Sequence, residues 1–146
     1  ERSLGVAGSC QWYGAAFAEN KGNYAEALRQ LYYSKPALPP AMPFISSKAP
    51  GKVRKLKPVW TEDGYILFWT GPKAKRQIDE AQRYVIYRFA AGEPQNTDDA
   101  SHIIDITSDT YCKLPYDKGI DKYTYVVTSL NRIGNESKMK KKKVKL

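Results

Sequence analysis

The stretch KYTYVVTSLNRIGNES, residues 122–137, decides the fold. Tyr123, Tyr125, Val127 and Ser129 fall on one face of an extended chain, because successive side chains of a strand point to opposite sides. The reading is a long strand over Lys122–Asn131, closed by a turn at Asn131 and Gly134. A last strand follows over Lys138–Leu146. Working backwards, Thr110–Leu114 and His102–Thr107 read as short strands. Arg83–Ala90 (RYVIYRFA) is apolar on both faces, as a central strand is. Tyr65–Thr70 (YILFWT) is bounded by the turn Thr61-Glu62-Asp63-Gly64 and by Gly71-Pro72. Val53–Trp60 carries Pro58, which cannot donate to a ladder, and so reads as an edge strand. Seven short strands split by turn residues predict an antiparallel sandwich over residues 50–146.

The first third of the chain has another texture. Tyr24, Ala27, Leu28, Leu31 and Tyr32 recur at helical spacing and place five apolar groups on one stripe. Asn23 stands at the start of that helix, three residues before Glu26, the spacing of a reciprocal cap. Pro36 should stop the helix, and Pro39, Pro40 and Pro43 follow it. Upstream, Leu4–Cys10 (LGVAGSC) is short, apolar and small, and reads as a buried strand or a glycine-rich loop. Strand, loop and helix make one βα unit, which cannot bury its own faces. With no initiator Met, the N-terminus reads as a cut made inside a longer chain.

Bulk properties narrow the function. The length of 146 residues suits about one domain. No apolar run is long enough to span a membrane. The net charge is +9, but the six lysines of KMKKKKVKL (138, 140–143 and 145) leave only +3 without them. The basicity is therefore local. Nucleic-acid binders usually add aromatics and arginines to such a run, and this one has neither, which argues against nucleic acid. Lysines on a final edge strand also keep sheets from pairing with other chains, the preferred reading here. Cys10 and Cys112 lie far apart. They fit no metal spacing and read as small buried side chains, with one bridge left open.

Two resemblances connect these pieces. Leu67-Phe68-Trp69-Thr70-Gly71-Pro72 is similar to the second strand of a fibronectin type III domain, with its buried tryptophan. Residues 123–137 resemble the family pattern Y-x-V-x-V-x-A-x-N-x-x-G-x-x-S. The resemblance implies an immunoglobulin-like β-sandwich with Trp69 and Tyr123 as structural signatures, the Tyr123 hydroxyl being tied to backbone. The connection Pro115–Lys122 is longer than the family's usual turn. Separately, a helix running into YYSKPALPPAMP and then a sandwich resembles the end of bacterial glycoside-hydrolase-like family 10 proteins. There, a TIM-type barrel precedes such a module. The resemblance implies that residues 1–35 are a remnant of the barrel's last strand–helix unit. Residues 36–49 would be a proline-rich connector, and 50–146 the sandwich.

Glycoside hydrolysis usually needs two carboxyl groups. Glu62-Asp63, Asp79-Glu80 and Asp98-Asp99 sit in turns or loops and read as solvated surface. Glu26 reads as part of a cap, and Glu19 belongs to the barrel remnant. No catalytic set, metal site or cofactor is expected. Gln11 and Trp12 follow the presumed last barrel strand, and strand ends carry the active site of such barrels. They would touch substrate only in an intact barrel. His102, the single histidine, reads as an exposed strand-end residue, and Asn135-Glu136-Ser137 as a formal glycosylation sequon in the family's last turn. Trp60, Tyr65 and Tyr116 are the best candidates for sugar stacking, although core packing explains most strand aromatics.

The expectation is a non-catalytic C-terminal segment of a secreted bacterial glycoside hydrolase, bracing the catalytic barrel or placing it on a glycan. No activity is expected from this chain alone. Its partners would be the missing barrel of the same polypeptide and polysaccharide. The location would be periplasmic or extracellular, with a lipid anchor on the parent left open. The alternative is a stand-alone module that binds a protein or an anionic polymer through the sandwich and its lysine-rich last strand.

Overall fold

A computed structural model describes residues 14–62, 64–116 and 119–145. The chain divides into two compact units, one ending at Ser34 and the other running from Lys35 to Leu146.

In the first unit, α1 (Ala15–Ala18) and α2 (Tyr24–Leu31) flank a 3-10 turn, and Phe17 meets Tyr24 with ring centroids 5.2 Å apart. The helix cap differs from expectation. Asn23 is left-handed (φ 58°) and its side chain caps nothing; Gly22 before it is left-handed too. Asn20 does the capping, its Oδ1 accepting from the N–H groups of Ala25 (3.0 Å) and Glu26 (3.3 Å). Glu26 accepts instead from Gln30 one turn on, at 2.8 Å. The helix also ends sooner than Pro36 requires. The amides of Tyr32 and Tyr33 both donate to the Leu28 carbonyl, closing the last turn five residues before the proline. The expected strand Leu4–Cys10 lies outside the described residues.

The second unit is a sandwich of two antiparallel sheets. Its strands are β1 (Arg54–Thr61), β2 (Gly64–Thr70), β3 (Ala81–Ala90), β4 (Ile103–Thr107), β5 (Tyr111–Lys113), β6 (Lys122–Asn131) and β7 (Lys140–Lys145). One sheet has the order β1-β2-β5, the other β4-β3-β6-β7. Pro58 therefore stands on an edge strand, where its missing N–H costs no ladder bond. The central strand β3 is buried on both faces, as its unbroken apolar run requires.

Those two faces belong to two cores. Between the sheets, Tyr84 and Ile86 pack with Leu67, Trp69, Cys112, Tyr125 and Val127. On the outer side of the larger sheet, Val85, Tyr87 and Phe89 pack with Ile103, Val126 and Leu130, against Leu38 from the proline segment. Each fully buried side chain of this size contributes about 1.5–3 kcal/mol over its exposed state, so the second core is not incidental. Cys112 is a free thiol, and its burial pushes the pKa up to about 11; Cys10 lies outside the described residues.

Candidate functional site

The proline segment is held to the sandwich by hydrogen bonds. Its prolines have no N–H to donate, and extended proline-rich chain forms no internal ladder, so its carbonyls need outside donors. Asn135 supplies them through Nδ2, to the carbonyls of Ser46 (2.7 Å) and Lys48 (3.2 Å). Asn131 Nδ2 also donates to the Lys48 carbonyl at 3.3 Å, while its Oδ1 accepts from the amides of Ile133 and Asn135. The Ser129 hydroxyl donates to the Gly51 carbonyl at 2.6 Å, and the Met42 amide to the Ile133 carbonyl at 2.9 Å. The sequon asparagine is thus a buried clamp with its amide protons engaged.

Gly134 lets the segment come this close. Its φ is +78°, and a Cβ there would lie 2.7 Å from the Pro40 carbonyl oxygen and 3.0 Å from Ala41 Cα. An ion pair closes the other side. Asp79, expected on the solvated surface, is only 4% exposed. Arg76 grips it with two bonds of 2.8 and 2.9 Å, and Lys48 Nζ lies 3.1 Å away. The hydrogen bond from Arg76, working against desolvation and joined by Lys48, lowers the Asp79 carboxyl to about 2.

The clamped segment presents a knuckle. The amides of Ile45 and Ser46 fold back to the Met42 carbonyl, leaving Phe44 85% exposed and Met42 and Ile45 exposed beside it. Three neighbouring apolar side chains on a fixed turn are what an interaction surface needs.

A second exposed group lies where β1, β2 and the segment after β5 meet. Trp60 stands opposite Tyr65 in the β1–β2 ladder. Its ring centroid is 4.9 Å from Tyr65 and 5.0 Å from Tyr116. Trp60 is 55% and Tyr116 53% exposed, while Tyr65 leans on the inner core. The three residues singled out for sugar stacking therefore form one cluster, with two rings open to solvent.

The remaining sites fall as follows. Gln11 and Trp12 lie outside the described residues. Trp69 is buried against Tyr84, with ring centroids 5.5 Å apart, and its indole N–H meets no acceptor among the described residues. Tyr123 is partly buried; its hydroxyl donates to the Asp121 carboxylate at 3.0 Å and its ring lies under the Arg88 guanidinium. His102 is not the exposed residue expected. Its ring stacks on Phe89 at 4.4 Å, Nδ1 bonds the Arg88 carbonyl at 3.2 Å, and Nε2 faces Glu93 (3.3 Å) and Asp99 (3.6 Å). It staples the loop of residues 91–102 to the second core. Asp98 and Asp99 are exposed, and Glu62 is too; Asp63 lies outside the described residues. Among the described residues, no three His, Cys, Asp or Glu side chains converge as metal ligands.

Two sheets ordered β1-β2-β5 and β4-β3-β6-β7 define an immunoglobulin-like sandwich of the fibronectin type III kind. Among solved structures, the chain superposes on the twitchin kinase region of C. elegans with a TM-score of 0.50 and 18% identity, over 68% of this chain and 17% of that one. That likeness concerns the fold alone. The Clostridium perfringens spore cortex lytic enzyme SleM superposes with a TM-score of 0.45 and 12% identity, over 66% of this chain and 28% of that one. No family model matches the chain. In sequence it is similar to the glycosyl hydrolase YngK of Bacillus subtilis (strain 168), 35% identical over 120 residues. The match takes in 82% of this chain, which spans 23% of the length of that hydrolase. It is longer than the 112 residues of Lys35–Leu146 and so extends across Ser34 into the first unit.

Proposed function

We propose that this chain is the non-catalytic C-terminal segment of a secreted glycoside hydrolase, acting in the periplasm or outside the cell, and that it braces the catalytic barrel. Residues 1–35 are the last strand–helix unit of that barrel, and Gln11 and Trp12 stand at its sugar-binding end. The observation that carries the reading is the knuckle. Phe44, Met42 and Ile45 are exposed on a segment that Asn131, Asn135, Gly134 and Asp79 fix to the sandwich. A flexible linker would need no such fixing. A brace must hold its apolar contact at a set place, because ordering a loose segment on docking costs about 1–2 kcal/mol per residue. The extent of the YngK match supports the reading, since the aligned 120 residues run from the first unit into the second as one stretch. The Trp60–Tyr116 surface would then help to place the enzyme on a glycan.

A photoreactive side chain at position 44 tests this in the full native polypeptide. Cross-links from Phe44 to a barrel domain in the same polypeptide are expected. Cross-links only to other molecules, or only within the sandwich, would refute it. The chain alone should release no sugar from any polysaccharide.

A further inference from the structure

The lysines of β7 are not spread evenly about an edge. The β6–β7 register pairs Lys122 with Lys145, Thr124 with Lys143 and Val126 with Lys141. Partners in a ladder share a face, and Val126 belongs to the outer core. Lys122, Lys141, Lys143 and Lys145 therefore stand together on the outer face of the larger sheet. Val144, opposite Tyr123, points into the inner core. Lys141, Lys143 and Lys145 form a row with a spacing of roughly 6.6 Å, two residues of extended chain.

Edge protection accounts for the lysines of β7 but not for Lys122. Lys122 lies on β6, which is flanked by β3 and β7 and is not an edge. It faces Lys145 directly across the ladder, an arrangement of like charges that costs stability. Among the described residues, no carboxylate lies within ion-pair distance of these four ammonium groups; the nearby Glu93 is engaged by the Ala90 amide and by His102. Lys141 Nζ donates instead to the neutral Gln95 amide oxygen at 3.3 Å.

The lysines border two adjoining grooves of about 290 and 320 Å³, both lined by Gly92, Thr124 and Lys143. The wall opposite is the loop that His102 staples, and buried Thr124 forms the floor. A row of cations along a trough whose opposite wall carries one carboxylate, Glu93, already engaged by Ala90 and His102, fits a linear polymer with a repeating negative charge. It offers little to a nucleic acid. The one aromatic in the lining, Tyr123, has its ring under Arg88 and against the inner core, so no open ring awaits a base.

We propose that the trough formed by Lys122, Lys141, Lys143 and Lys145 binds an acidic polysaccharide, lying along β7. The choice of a glycan among polyanions rests on the hydrolase reading above; the trough itself does not.

Affinity electrophoresis and calorimetry of the intact chain would test this, using polygalacturonate, neutral pullulan and poly(dT) as probes. Polygalacturonate should bind and weaken steeply with salt, as exposed charge pairs do, while pullulan should not bind. Lys122→Gln/Lys143→Gln/Lys145→Gln should lower that affinity by about tenfold or more. Lys57→Gln/Lys138→Gln/Lys140→Gln, which removes the same charge from exposed positions that line neither groove, should leave it nearly unchanged. Circular dichroism checks that both triple variants are folded. Equal losses in the two variants, or no binding of polygalacturonate, would overturn the proposal, and so would tighter binding of poly(dT). None of these results bears on the Phe44 cross-link, so the trough and the brace fail separately.

Discussion

Replacing Gly134 by alanine should dislodge the proline segment. Two costs add. A residue with a Cβ held at φ +78° pays about 1–2 kcal/mol for the left-handed backbone. The new Cβ would then stand 2.7 Å from the Pro40 oxygen and 3.0 Å from two backbone carbons. Those are backbone atoms of a clamped segment, with no rotamer to turn aside, so forced repacking adds about 1–3 kcal/mol. The total is about 2–5 kcal/mol. Gly92→Ala separates the terms, because Gly92 is also left-handed (φ +84°) and has no atom within 4 Å of its would-be Cβ. It should cost only the backbone share, about 1–2 kcal/mol. Urea unfolding of both variants and the parent, compared at equal slope, measures the difference. Equal losses for Gly134→Ala and Gly92→Ala would refute the close packing of Pro40 on Gly134.

Two further outcomes follow from single contacts. A Cβ on Gly71 would run into the hydroxyl oxygen of buried Tyr84; Gly71→Ala should cost about 1–3 kcal/mol, and adding Tyr84→Phe should recover much of it in the same urea assay. The Asp79 carboxyl, ordinarily near 3.8, lies at about 2 in the folded chain. Its contribution is therefore complete above about pH 4 and fades as pH falls through 2; Asp79→Asn should flatten the loss of thermal stability in that window and not above it.

The sandwich was legible because its signals are local. Alternation at 123–129, the two-faced apolar run of β3 and the proline in β1 each follow from the backbone period of a single strand. Distant partners were not legible. Asn135 reads as a turn residue or a sequon, and only the folded chain brings its amide to Ser46 and Lys48, nearly ninety positions away. Asp79 looked like one of a solvated pair until Arg76 and Lys48 closed over it. His102 gave no hint of Phe89. The cap failed for a different reason: the spacing from Asn23 to Glu26 is right, but left-handed Gly22 and Asn23 hand the role to Asn20. The lysine run was visible as charge, whereas its division into trough and edge needed the β6–β7 register.

The claim on which the brace depends is that residues 40–51 belong to the sandwich as firmly as its strands do. Residue-resolved amide exchange on the intact chain measures this directly. The Met42 amide, bonded to the Ile133 carbonyl, should exchange through the same large-scale opening as the β6 amides of Val126 and Val127. Exchange of Met42 at the rate of an unprotected peptide, with β6 still protected, would show a loose tether and contradict the account.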